Sequence, residues 1–117
     1  MSQKQHTKPT TLRRPADAEV PDADWLRRAP KTDLHCHLGG GIRLSTILDE
    51  ATRQGIDLPA KDEATLRPYV VKDQAESLED YLKAFKITES VMKDAEALER
   101  VAYELCEDAH RENVRVL

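Results

Sequence analysis

The chain has 117 residues, the size of one modest domain that can bury a usable core. Charged residues make up 34% and apolar residues 39%, and no apolar run approaches the roughly 20 residues needed to span a bilayer, which argues against a membrane role. The net charge of -4 is spread over interleaved acidic and basic residues, so there is no basic face for a phosphate backbone and no reason to expect a nucleic-acid partner.

From Met1 to Pro21 the only large aliphatics are Met1, Leu12 and Val20, set among polar residues and prolines. So little apolar surface cannot offset ordering entropy, which predicts a flexible tail over residues 1–21 and a packed region over 22–117. The start of the chain lacks the charged head, apolar stretch and cleavage site of a secretory signal. Asp17, Glu19, Asp22 and Asp24 also break any likeness to an acid-poor transit peptide. A cytoplasmic location is the expectation. Trp25-Leu26 is expected to begin the packing, as a short turn closing the bottom of a core.

Lys31 to Leu38 reads as a strand, with Leu34 and Cys36 on one face and Asp33, His35 and His37 on the other. Gly39-Gly40-Gly41 ends it. In "LSTILDEATRQG" the residues Leu44, Ile47, Leu48 and Ala51 recur at helical spacing, and Gly55 is placed as a C-terminal stop. The connection from Ile56 to Gln74 holds Pro59 and Pro68 and one short helix around Asp62 to Arg67; connections of this length are often functional.

Ser77 is a suitable N-cap for "LEDYLKAFKITESVM", whose Leu78, Tyr81, Leu82 and Phe85 follow i, i+3, i+4, i+7. After Lys93-Asp94 a further helix carries Leu98, Val101, Ala102, Leu105, Cys106 and Ala109 on one stripe and should end near Asn113, an acceptable left-handed cap. "VRVL" then begins a second strand. Cys36 and Cys106 form no C-x-x-C motif and lie in apolar patterns, so buried free thiols in a reducing compartment are expected. His6 and His110 sit in no motif; His110, near a helix end, is expected to make a dipole contact or face solvent.

Strand, helix, loop, helices and strand form the opening of a repeating β/α architecture with parallel strands. Two strands do not make a stable parallel sheet alone, so the expectation is an N-terminal piece of a longer α/β protein, truncated inside its second strand.

The stretch "PKTDLHCHLGGGIR" carries the chemistry. On a strand, residues i and i+2 share a face about 7 Å apart along the chain. Two imidazoles so placed can converge on one metal ion, about 2 Å from each nitrogen. His35 and His37 are thus candidate metal ligands at a strand end, where β/α barrels keep their active sites. The glycines that follow let backbone approach an ion or ligand closely. Packed polar residues are the alternative reading of the same pair.

The same stretch, continued as "PKTDLHCHLGGGIRLSTILDEA", resembles the first strand and helix of the adenosine deaminase family, within the amidohydrolase superfamily of metal-dependent barrels. "SLEDYLKAF" resembles that family's Ser-Leu-x-x-Phe-Leu-x-x-Phe helix, and "RVAYELCEDAHRENVRVL" is similar to the helix leading into its second strand. The likeness covers about Trp25 to Leu117.

The resemblance implies a TIM-like (β/α)8 barrel, of which this chain is the N-terminal portion, and one divalent ion, Zn2+, with His35 and His37 as its first two ligands. It implies a small-molecule purine nucleoside as substrate, contacted by His37, Gly39, Gly40, Leu78, Tyr81, Leu82 and Phe85, and hydrolytic release of ammonia from it. A Leu/aromatic stripe like that of the last four also describes ordinary core packing. No catalytic acid or base is implied within these residues; the family draws those from later strands, so the segment alone is expected to be inactive. Gly39 stands where the family usually has an aspartate that holds the sugar's 5′-hydroxyl, which leaves the identity of the aminopurine open. Another heterocycle-hydrolysing amidohydrolase, a barrel that only binds a nucleoside, and an interaction fragment remain alternatives. Oligomeric state is not legible.

Overall fold

A computed structural model of the protein describes residues 20–73, 75 and 77–117. Nearly all of the expected N-terminal tail, residues 1–19, lies outside the described residues. The architecture is α/β, mostly helical, with a two-stranded parallel sheet.

Helix α1, Ala23–Arg28, is capped by Asp22, whose carboxylate accepts from the Trp25 backbone N–H at 2.7 Å. Its residues do not close a core: Trp25 and Leu26 are 54% and 51% exposed. At six residues α1 is too short to carry an apolar stripe, and the Lys31 ammonium caps its end by donating to the carbonyls of Leu26 and Ala29.

Strand β1, Lys31–Thr32, pairs in parallel with β2, Val114–Val116, in the register Lys31 to Val114 and Thr32 to Val116. Backbone hydrogen bonds from Lys31 N–H to Asn113 O and from Asp33 N–H to Val116 O bracket the pairing. The expected strand over Lys31 to Leu38 is therefore only two residues long. Extended backbone needs a neighbour for its N–H and C=O groups, and among the described residues β1 is a strand only where it pairs with β2. Beyond β1 the Asp33 carboxylate accepts from the His35 N–H at 3.1 Å, and Leu38–Gly40 tighten into a 3-10 turn. Leu34 and Cys36, expected to face a core, are exposed, as is Cys106; the expectation of buried thiols is overturned.

Helix α2, Leu44–Gln54, ends at Gly55 in the left-handed conformation (φ 68°), as the sequence predicts. Ile47 and Ala51 are buried, with Leu44 and Leu48 packed beside them. Helix α3, Glu63–Val70, begins at the Asp62 cap and runs past the expected end at Arg67, through Pro68. The proline ring fixes a helix-compatible φ, and so near the helix end it deletes a single backbone bond.

Helix α4, Leu78–Val91, starts at Ser77, whose hydroxyl accepts from the Asp80 N–H at 3.1 Å. Its buried residues are Ala84, Thr88 and Val91, whereas Leu78, Tyr81 and Leu82 are exposed. The core-facing side therefore lies about 100° round the helix from the Leu78/Tyr81/Leu82/Phe85 stripe. Small residues on that side let α4 approach the glycine turn.

Helix α5, Ala95–Arg111, is capped by Asp94 and buries Ala97 and Val101; Leu98, Ala102 and Cys106 of the expected stripe are exposed. Asn113 takes the left-handed conformation (φ 58°) that ends the helix and turns the chain into β2. His110 is exposed, one of its two expected settings. The core lies among α2, α3, α4 and α5, centred on Ile42, Ile47, Ala51, Leu58, Leu66, Val91 and Val101.

Candidate functional site

His35 and His37 come together. Their Nε2 atoms lie 3.0 Å apart and their ring centroids 4.9 Å apart, with both side chains exposed in the segment between β1 and the 3-10 turn rather than on a strand face as expected. Two imidazole nitrogens on a tetrahedral zinc, each at about 2.0–2.1 Å, stand roughly 3.3 Å from one another. The pair therefore fits as two ligands of one ion. Among the described residues no group of three or more His, Cys, Asp or Glu side chains could hold a metal, so the pair is half of a usual set of four.

The 3-10 turn hangs directly on His37: the Gly40 N–H donates to His37 O at 2.9 Å and the Gly41 N–H to Leu38 O at 3.2 Å. Gly39 is where α4 comes closest. A Cβ there would stand 3.1 Å from Met92 Cε and 3.2 Å from Thr88 Oγ1, tighter than ordinary packing. A Cβ on Gly41 would collide with the Leu105 side chain, while one on Gly40 would meet open space.

Beside the turn lies a cavity of about 380 Å3. Gly39 and Gly40 form one side, Tyr81, Ala84, Phe85 and Thr88 of α4 another, and Arg67 and Lys72 reach it from the end of α3 and the segment after it. Tyr81 and Phe85 stand edge to face with centroids 5.6 Å apart. Thr88 is buried and its hydroxyl donates to Phe85 O at 3.1 Å.

The family model described as adenosine deaminase matches residues 30–117, from Pro30 before β1 to the end of β2. The chain belongs to the adenosine deaminase family. It is 46% identical over 89 residues to an adenosine deaminase of Vibrio vulnificus (strain YJ016), covering 75% of this chain and 27% of that protein. It is 44% identical over 93 residues to one of Clostridium botulinum (strain 657 / Type Ba4), covering 79% and 28%. With one of Shewanella halifaxensis (strain HAW-EB4) it shares 45% identity over 89 residues, covering 75% and 27%. The chain thus spans little more than a quarter of the length of these relatives. No solved structure matches it.

Within this family member, the residues singled out by sequence divide. Gly39, Gly40, Tyr81 and Phe85 line the cavity; Leu78 and Leu82 do not, and His37 sits beyond its edge. The lining residues Ala84 and Thr88 escaped notice although Tyr81, Ala84, Phe85 and Thr88 obey the same i, i+3, i+4, i+7 spacing. Large side chains dominate the pattern, which places the stripe one turn N-terminal to the residues that line the cavity. Arg67 and Lys72 carry no sequence signal as individuals, although both lie in the long connection from Ile56 to Gln74 that the sequence marks as a candidate functional segment.

The opposite side of α2 is electrostatic. Arg43 donates to Asp108 at 2.7 Å and Glu107 at 2.6 Å, Arg53 to Asp94 and Glu50, and Arg100 to Asp49 and Glu104. Glu50, with 4% of its side chain exposed, pairs with both Arg53 and Arg100. Burial pushes its carboxyl up, but hydrogen bonds from Arg53 and Gln54 outweigh that and hold it below the usual range. Asp108 is likewise held low, chiefly by its hydrogen bond from Arg43. These pairs bind α2 to α5 and fix Arg43, two residues after the glycine turn.

Proposed function

We propose that the full-length protein carrying this segment is a zinc-dependent deaminase that hydrolyses adenosine or a related aminopurine nucleoside, releasing ammonia. The observation that carries the reading is the His35/His37 pair, its Nε2 atoms 3.0 Å apart, at the mouth of a glycine turn beside a cavity. It is supported by membership of the adenosine deaminase family over residues 30–117.

In this reading His35 and His37 supply two ligands to the ion, and further ligands and the catalytic acid and base come from outside residues 20–117. A divalent ion bound there supplies Lewis acidity that makes water ionise near neutral pH. Gly39 and Gly40 give the ring a backbone floor without side chains, and Tyr81 and Phe85 offer apolar walls that exclude water. Overall, a C–N bond to the exocyclic amine is exchanged for a C–O bond, and the amine leaves as ammonia.

The parallel β1–β2 pair joined through helices supports placing residues 22–117 in the opening portion of a (β/α)8 barrel. None of the described helices is long and apolar enough to cross a membrane; we place the protein in the cytoplasm.

The test is metal content and ammonia release from adenosine by the full-length protein. Stoichiometric metal and turnover are expected, both abolished in His35→Ala/His37→Ala. Absence of metal from the wild-type protein overturns the reading. Residues 1–117 expressed alone are expected to release no ammonia.

A further inference from the structure

The glycine turn is held to α5 by two contacts one helical turn apart. Leu105 lies against Gly41, where a Cβ would collide with it. Further along α5, Arg43 grips the helix: its Nε and Nη2 donate to the two oxygens of Asp108 at 2.9 and 2.7 Å, and Nη2 also donates to Glu107 at 2.6 Å. A fork on one carboxylate with a further hydrogen bond to a second fixes the guanidinium in orientation as well as in distance.

Helix electrostatics alone does not account for these charges. Arg43 is a cation at the N-cap of α2, and Asp108 is an anion in the last turn of α5; each sits at the helix end whose dipole disfavours it. At the opposite end of the same helix pair the signs follow the dipoles: Arg53, in the last turn of α2, donates at 2.8 Å to Asp94, the N-cap of α5. A pair that breaks the local rule where its counterpart keeps it draws its gain from contacts between elements.

Those contacts bear on the histidines. The Asp33 N–H donates to Val116 O, tying the end of β1 to β2, and β2 follows α5 directly through Asn113. Past the histidines the Gly40 N–H donates to His37 O, and Arg43 follows three residues later. His35 and His37 are thus carried on a span whose two ends, Asp33 and Arg43, are both fastened to the α5–β2 unit. Without the Arg43 fork the second end rests on apolar packing, which directs a chain less sharply than hydrogen bonds do.

Taking the two histidines as metal ligands, as proposed above, we propose that Arg43 is a positioning residue for the ion: through the glycine turn, its fork on Asp108 and Glu107 holds His37 in place beside His35.

The experiment measures two quantities on the full-length protein: the zinc dissociation constant, by competition with a chromogenic chelator, and the urea midpoint of the metal-free form. Arg43→Met is expected to weaken zinc binding about tenfold, the lower end of the range for groups that orient a ligand from outside the coordination sphere. Arg43→Lys, which keeps the charge and loses the fork, should weaken it about threefold and guards against misfolding of the methionine variant. Adding Asp108→Asn to Arg43→Met should cost nothing more, since both cut the same link. Arg53→Met breaks the ion pairs at the far end of the two helices; it should lower the urea midpoint at least as much as Arg43→Met while leaving the zinc constant within about twofold of wild type.

Zinc affinity in Arg43→Met within about twofold of wild type overturns the proposal and leaves the metal reading in place. An equal loss of affinity in Arg53→Met does the same, because the effect would then be one of overall stability. Wild-type protein that binds no zinc removes the metal reading, and this role of Arg43 with it.

Discussion

Gly39→Ala tests how closely the glycine turn and α4 are fitted. The added methyl would lie 3.1 Å from Met92 Cε, 3.2 Å from Thr88 Oγ1 and 3.8 Å from Phe85 Cδ1. Optimal carbon contacts lie near 3.5–4.0 Å, so two of the three are too close by several tenths of an ångström. Overpacking of this kind costs about 1–3 kcal/mol. Met92 is unbranched and can swing its terminal methyl aside. Thr88 cannot, because it is 2% exposed and hydrogen-bonded to Phe85 O.

An opposing effect comes from the unfolded chain, where replacing glycine by alanine recovers about 0.4–1 kcal/mol at a compatible backbone angle. Gly39 is not among the residues with positive φ, so that gain applies. The net expectation is a loss of about 1 kcal/mol for alanine and a larger one for valine. In urea unfolding, with m of about 2–3 kcal/mol/M, alanine should lower the midpoint by roughly 0.3–0.5 M at unchanged m. Because the methyl also edges into the cavity, KM for the nucleoside should rise with it. A neutral or stabilising Gly39→Ala, followed by a valine variant no worse, would refute the close fit.

Gly55→Ala isolates backbone strain from packing: nothing lies within 4 Å of the new methyl, but φ is 68°, so a loss of about 1–2 kcal/mol should appear in a thermal melt. If alanine is neutral there, the left-handed cap is not what ends α2. The acid limb of stability should depend on Glu50. Its folded pKa lies below its unfolded value, so the stabilisation is full above the ordinary carboxylate range and fades as pH falls through and below about 4. Glu50→Gln should flatten that limb of the pH–stability curve; an unaltered slope would show that the pairs with Arg53 and Arg100 do not stabilise the fold.

The capping residues were legible in sequence because caps are local. Ser77, Gly55 and Asn113 act on backbone groups within a few residues of themselves, so their identity and position were enough. The extent of β1 was not legible. Alternation from Lys31 to Leu38 fits an extended chain, but pairing depends on a partner more than eighty positions away. Burial fared similarly: Leu78, Tyr81 and Leu82 have the size and spacing of a core stripe, yet the side of α4 that meets the glycine turn is the one with Ala84 and Thr88. Hydrophobic size measures what could be buried, and the neighbours decide what is.

By itself the sequence determined helices α2, α4 and α5, with the caps at Ser77, Gly55 and Asn113, and the i, i+2 spacing of His35 and His37, since each follows from residues a short distance apart. Only the tertiary structure decided that the two imidazoles meet off the regular strand, that Gly39 lies against Met92 and Thr88, and that Arg67 and Lys72 share one cavity with Tyr81 and Phe85. Those relations join α3, α4 and the turn before α2, and they arise from packing between elements, which no local spacing encodes.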